Sequence, residues 1–238
     1  MLDRERRRQQ YGSSPGITRF SYPDEYQPLC DRLSLDQGLL YAEHWSAGAD
    51  FLDLVVEHCL REKPSVVLEC SSGLSTLLLA RCCQLNGNGH VWSLENGEEY
   101  AQATQAALAF YGLDNTATVL HAPLVGDREF QWDTLSDLSI PAIDMLVIDG
   151  PSGSIQKHSR YPALPLLMER LNSRCTVYLD DAARADERPV LRIKTFMVFS
   201  EPDGGPAFSV FINQSNQIIT KWCMNNRGSH LTAPLNSG

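Results

Sequence analysis

The sequence predicts an α/β domain built on a doubly wound, mostly parallel, seven-stranded sheet that ends in an antiparallel hairpin. Three observations carry this expectation. Short apolar, β-branched runs alternate with segments of helical periodicity, the pattern of strands joined by crossover helices. The strand runs are near-continuously apolar, as in Leu146, Val147 and Ile148, so helices should cover both faces of the sheet. The last two strand runs are separated only by Gln214, Ser215 and Asn216, a link too short for a parallel crossover but sufficient for a hairpin.

The elements follow in order. Residues 1–20 carry Arg4, Arg6, Arg7 and Arg8 and then Ser13, Ser14, Pro15 and Gly16, with little to bury, and read as a mobile arm. Residues 49–63 place Phe51, Leu52, Val55, Val56, Cys59 and Leu60 at helical spacing, and Pro64 stops the helix. Residues 65–69 form the first strand. Small residues follow it, and Thr76 opens a helix through Leu77, Leu78, Leu79, Ala80 and Cys83. The second strand spans residues 90–95, with a helix at 98–111 closed by Gly112, and the third spans 117–121. Residues 143–148 are the fourth strand, 165–171 a helix with Pro165 in its first turn, and 175–179 the fifth strand. A helix is expected at 188–196, with Pro189 in its first turn. Strands at 207–213 and 217–223 make the hairpin. One domain, residues 21–224, is expected between the arm and a flexible tail at 225–238.

At 238 residues and 26.5 kDa the chain fits one large core. Its formal charge of −9 and pI near 5.1 offer no general attraction to nucleic acid or an anionic membrane, and neither is an expected partner. No apolar run reaches the roughly 18 residues of a spanning helix, and the charged start lacks the apolar core of a secretory signal. The 7 cysteines show no CxxC pair and fall mostly in apolar stretches, which suits reduced thiols packed as small hydrophobes. The expected location is cytoplasmic. Homo-oligomerisation stays open.

In a doubly wound sheet, ligands bind beyond the carboxyl ends of the strands. The first strand runs into Glu69, Cys70, Ser71, Ser72, Gly73, Leu74, Ser75 and Thr76. The small side chains let a ligand approach the backbone, and the helix start favours an anionic group. Glu69 would repel a pyrophosphate, and GxGxxG is absent, so a ligand bearing both an ammonium and a carboxylate fits better than a dinucleotide. The second strand ends in Glu95, followed by Asn96, where an acid can accept hydrogen bonds from both hydroxyls of a ribose. The third ends at His121 and Ala122, close to where an adenine would lie. Glu69 and Glu95 are therefore expected to grip an aminoacyl-nucleoside together.

These segments, VVLECSSGLST, VWSLEN and IDMLVIDGPSG, resemble the motif series of class I S-adenosylmethionine-dependent methyltransferases. LVIDGPSG, RYPALPLL and VYLDDAAR resemble in particular a bacterial small-molecule, O-methyltransferase-like branch whose first motif reads E-x-G-S-G-x-S-T. The similarity spans about residues 45–223. It implies a Rossmann-like methyltransferase fold with S-adenosyl-L-methionine as cofactor. Glu69, Ser71, Ser72, Gly73, Ser75 and Thr76 would then surround its methionyl part, Glu95 and Asn96 its ribose, and His121 and Ala122 its adenine edge. Ser71 departs from the glycine usual there.

Asp149 follows the fourth strand, and Asp180 and Asp181 close the fifth. Three carboxylates on neighbouring strand ends repel one another unless cations or donors neutralise them. Oxygen-only ligation suits Mg²⁺, and the arrangement resembles metal-dependent catechol-type and sugar O-methyltransferases. The alternative is that Asp180 or Asp181 caps a helix while Asp149 meets cofactor or solvent. A proton acceptor for the substrate hydroxyl is sought among Asp149, Lys157, His158 and His121. Trp45, Arg160 and Tyr161 are candidates for an acceptor pocket. The expected function is methyl transfer to a small hydroxylated metabolite or sugar. An inactive cofactor-binding partner subunit and a nicotinamide-dependent oxidoreductase are the alternatives.

Overall fold

The computed structural model describes residues 22–35, 37–125, 131–132, 139–152, 159–160, 162–180, 207–212 and 218–223. The arm, the tail and the helix expected at 188–196 lie outside the described residues.

A 3₁₀ turn, Asp24–Tyr26, leads into helix α1 (Gln27–Leu33), which carries Pro28 in its first turn and buries Leu29, Cys30 and Leu33. The sequence pattern predicts no element here, since seven residues are too few to show a helical period. Helix α2 (Ala49–Glu62) buries Phe51, Leu52, Val55, Val56 and Cys59 along one stripe and ends at Lys63, whose φ of 51° precedes Pro64. Strand β1 (Val66–Cys70) is buried at all five positions, as befits the centre of a parallel sheet. Helix α3 (Leu74–Asn86) is buried nearly all round and stops at Gly87 in the left-handed region, φ 63°. Strand β2 (His90–Glu95) and helix α4 (Glu98–Phe110) follow, with Glu98 and Glu99 at the positive end of the helix dipole.

Strand β3 (Ala117–His121) is followed by two short strands, β4 (Leu124–Val125) and β5 (Gln131–Trp132), which pair only with each other. Strand β6 (Ile143–Ile148) comes next. Helix α5 (Ala163–Leu167) then passes through a 3₁₀ turn at Met168–Arg170 into strand β7 (Leu171–Leu179). The helix starts and ends earlier than its periodicity suggests, and β7 begins four residues before the expected 175. Leu171 pairs with Ile143, and an irregularity in register separates that contact from the regular pairing that starts at Met145 and Thr176. Strands β8 (Ala207–Ile212) and β9 (Ile218–Cys223) pair antiparallel, from Ala207 opposite Cys223 to Ile212 opposite Ile218.

Among the described residues the main sheet has five hydrogen-bonded strands, all parallel, in the order β3-β2-β1-β6-β7. The seven strands expected in one ladder divide into these five and a separate β8–β9 ladder, with β9 alongside β7. The chain builds outward from β1 to β3, then returns to β6 on the other side of β1. The switch in strand order therefore lies between β1 and β6, where this topology opens a crevice.

Alternation along the strands sorts the core into two layers. Val67, Val91, Val119, Met145 and Val147 face α1 to α4, whereas Leu68, Cys70, Leu94, Leu146, Ile148 and Val177 face α5. Asp144, at the foot of β6, is structural. Its Oδ2 accepts the Ser65 and Val66 amides at 3.0 and 3.1 Å, and its Oδ1 accepts the Asn172 side-chain amide at 2.8 Å. Where α2 packs on α3, the buried thiols of Cys59, Cys82 and Cys83 meet. Hydrogen bonding to Cys82 and burial push the Cys59 thiol up, and hydrogen bonding to Cys59 and burial do the same for Cys83.

Candidate functional site

A cavity of about 460 Å³ opens over the carboxyl ends of β1, β2, β6 and β7, within the usual size range for a small-molecule or cofactor site. Its floor is the turn after β1, where Ser71, Ser72, Gly73 and Ser75 face the space. One side is Glu95 and Asn96 with Tyr100 of α4. The other is Asp149, Arg160 and Asp180. The segment before α2 roofs it with Tyr41, His44 and Trp45.

Glu95 is 6% exposed and holds both carboxylate oxygens toward donors. Oε2 accepts the Ser72 hydroxyl at 2.8 Å and Oε1 the Gly97 amide at 2.9 Å. Burial pushes its carboxyl above the usual range, while these bonds pull the other way. Ser72 also meets the Thr104 hydroxyl at 3.0 Å. The Glu95 carboxylate is thus anchored at the rim by groups that a ligand hydroxyl could replace one for one.

Glu69 was expected to grip the ligand beside Glu95, and the structure places it elsewhere. β1 runs one residue further, to Cys70, and alternation turns Glu69 with Val67 under α3. There it is fully buried and is not among the residues facing the cavity. Oε2 accepts the Thr76 hydroxyl at 2.6 Å and the Ser93 hydroxyl at 3.1 Å, and Oε1 has no hydrogen-bond partner among the described residues. Burial pushes its carboxyl up to about 7. Thr76 is likewise turned away from the cavity: its Oγ1 accepts the Gly73 amide at 3.0 Å. Both residues brace the turn from behind.

The turn itself is strained at one residue. Ser71 has φ 126°, a region that glycine occupies freely and other residues rarely do. It is pinned there because its amide donates to the Leu94 carbonyl at 2.9 Å and its carbonyl accepts the Ser93 hydroxyl. The Asp149 and Gly150 amides both donate to the Cys70 carbonyl, at 3.1 and 2.7 Å, drawing the ends of β1 and β6 together. A Cβ on Gly150 would lie 3.0 Å from the Ser71 Cβ, a tight approach that a larger residue could make only if the Ser71 turn gave way by a few tenths of an ångström.

Asp149 and Asp180 do reach the cavity together, with a cation beside the Asp149 carboxylate. The Arg160 guanidinium, 4% exposed as a residue, puts one nitrogen 3.4 Å from Asp149 Oδ1 and donates from the other to the Asp180 carbonyl at 3.0 Å. Arg160 is held by its neighbour, since the buried Ser159 hydroxyl donates to the Pro151 carbonyl at 2.9 Å. His121 is exposed and Ala122 is buried with its amide on the Glu95 carbonyl at 2.7 Å. Neither faces the cavity. Lys157, His158, Tyr161 and Asp181 lie outside the described residues. Sequence reasoning missed Tyr41, His44, Tyr100 and Thr104. Tyr100 lies in the first turn of α4, just past the strand end at Glu95.

A parallel sheet of this order, with an acid at the end of β2 and a small-residue turn at the switch point, defines a doubly wound protein whose crevice opens at that switch. Residues 68–182 match the family model described as a methyltransferase domain. Among solved structures, the chain is similar to the O-methyltransferase from Bacillus cereus in complex with SAH, at 13% identity over 86% of this chain and 92% of that one, with a TM-score of 0.58. It is also similar to the O-methyltransferase TomG from Streptomyces achromogenes, in complex with SAM and involved in tomaymycin synthesis, at 15% identity over 86% and 92%, TM-score 0.57. A third is the SAH-bound methyltransferase PaMTH1 from Podospora anserina, at 14% identity over 93% and 94%, TM-score 0.57. No curated protein matches the sequence. The fold is the one these methyltransferases share, and the matched methyltransferase domain occupies the central stretch of the chain. No helix among the described residues is long and apolar enough to cross a membrane.

Proposed function

We propose that the chain transfers a methyl group from S-adenosyl-L-methionine to the hydroxyl of a small metabolite or sugar. The observation that carries this reading is the cavity at the switch point, with the Glu95 carboxylate on one side and the Asp149–Arg160 pair on the other. The residues fit the cofactor: Glu95 presents two acceptor oxygens for ribose hydroxyls, and the turn from Ser71 to Ser75 leaves room at the start of α3 for an amino-acid carboxylate. Solved relatives in this fold bound to SAH or SAM support the choice.

The cofactor supplies a methyl group activated by the sulfonium. The protein's share is alignment, holding acceptor oxygen and methyl carbon in line and excluding water. The Glu95 side fixes the nucleoside, and the turn fixes the aminoacyl end. The acceptor enters over β6 and β7 under Trp45, where Asp149 is the carboxylate placed to take the hydroxyl proton. Reduced, buried cysteines at Cys30, Cys59, Cys70, Cys82, Cys83 and Cys175 support a cytoplasmic setting.

Calorimetric titration tests the reading. S-adenosyl-L-methionine should bind and NAD⁺ should not. Glu95→Ala removes charge-assisted hydrogen bonds of about 1.5–3 kcal/mol, so it should weaken the cofactor roughly 10- to 100-fold. Binding of NAD⁺ instead, or an unchanged affinity in Glu95→Ala, would overturn the proposal. Tight cofactor binding with no turnover across hydroxylated acceptors would favour an inactive partner subunit.

A further inference from the structure

Resting on the methyl-transfer reading of the cavity, we propose that Arg160 is the resident cation of the acid cluster and holds by a side chain the place that a divalent metal would take at the ends of β6 and β7. The site is built for it. The side chain of Arg160 is 5% exposed and that of Asp149 14%, and their contact is 3.4 Å. The same guanidinium is fixed by the Asp180 carbonyl at 3.0 Å. The backbone before it is tied back to the loop that starts at Asp149, through Ser159 and Pro151.

The acids do not fit a metal while Arg160 stands there. A magnesium ion on Asp149 Oδ1 would sit about 2.1 Å from that oxygen, and so within about 6 Å of a guanidinium that never loses its charge. Two cations that close, with little water between them, repel strongly. The fork of donors on Arg160 instead pairs with the Asp149 carboxylate and is anchored by the Asp180 backbone carbonyl, so the charge beside Asp149 is fixed in place. Arg160 is therefore a positioning residue: it holds the Asp149 carboxylate in place beside a fixed positive charge. With a side-chain cation fixed on Asp149, the reaction proceeds without a divalent ion there.

The full-length chain tests this with Mn²⁺ as the probe, read by water-proton relaxation, alongside calorimetry with S-adenosyl-L-methionine on the same samples. The wild-type chain should show no saturable Mn²⁺ binding up to millimolar concentrations. Arg160→Gln should create a one-to-one Mn²⁺ site, and the double variant Arg160→Gln, Asp149→Asn should lose it again. Stoichiometric Mn²⁺ binding to the wild type that Asp149→Asn abolishes would overturn the proposal. So would a folded Arg160→Gln chain with no Mn²⁺ response. Should Arg160→Gln not fold, the wild-type and Asp149→Asn titrations decide alone. Failure of the cofactor to bind would sink the methyl-transfer reading and leave the Mn²⁺ result standing, so the two failures are distinct.

Discussion

Replacing Glu69 by glutamine should flatten the dependence of folding stability on pH between about 4.5 and 7. The residue is fully buried, carries one oxygen without a partner among the described residues, and has its carboxyl pushed by burial from 4.5 up to about 7. A folded state that holds a proton more tightly than the unfolded chain is stabilised below the unfolded value, and that stabilisation drains away as pH rises through the folded one. An interval of about 2.5 pH units, at 1.36 kcal/mol each, corresponds to about 3 kcal/mol. Wild-type stability should thus fall by up to roughly that amount from pH 4.5 to 8. The glutamine of the Glu69→Gln variant cannot ionise, so this component vanishes. Glu95 is also raised by burial and is present in both proteins; its charge is the last of the causes acting on Glu69, so its own contribution largely cancels in the difference. Urea unfolding at a series of pH values, with the slope m held common, reads the two curves. Parallel curves for wild type and Glu69→Gln would refute the claim that this buried carboxyl protonates on folding.

The other expectations follow from strain, packing and the cavity roof. Ser71→Gly should raise stability by about 1 kcal/mol, because the strain of a serine at φ 126°, about 1–3 kcal/mol, exceeds the roughly 0.5–1 kcal/mol of added chain entropy. A lower urea midpoint would contradict it. Gly150→Ala should cost about 1–3 kcal/mol through its 3.0 Å approach to the Ser71 Cβ. The penalty should shrink by at least about 0.5 kcal/mol in the Ser71→Gly background, and strict additivity in the double-mutant cycle would argue against the contact. Trp45 is 55% exposed and its ring lies 6.4 Å from that of Tyr100. Trp45→Ala should therefore leave stability within about 0.5 kcal/mol while lowering ligand affinity several-fold by calorimetry. A large loss of stability would show that Trp45 belongs to the core.

The sheet was legible because buried parallel strands write themselves as unbroken apolar runs, and β1, β2, β3 and β6 fall within a residue or so of their expected bounds. β7 was read short because Asn172, Ser173 and Arg174 interrupt the apolar pattern. Nothing local marks the Leu171–Ile143 pair that lies before them. In the site, Glu95 reaches the cavity because it ends β2, a position that the apolar run before it marks in the sequence. Glu69 misled for a physical reason. Alternation puts Glu69 on the Val67 face, and because β1 runs one residue further, to Cys70, Glu69 sits inside the strand and not at its open end, a boundary that periodicity does not fix to one residue. Arg160 was read as pocket lining, but its pairing with Asp149 was out of reach, since the chain between them had to be brought back by Ser159 and Pro151 before the two could meet.

The knot of sulfur between α2 and α3 gives this protein an internal clock. Held as neutral S–H groups away from solvent, Cys59 and Cys83 present no nucleophile to an electrophile such as a maleimide while the helices stay closed. Labelling at these two positions then waits on separation of α2 from α3, and mass spectrometry of the trapped adducts would time how often that half of the molecule breathes open.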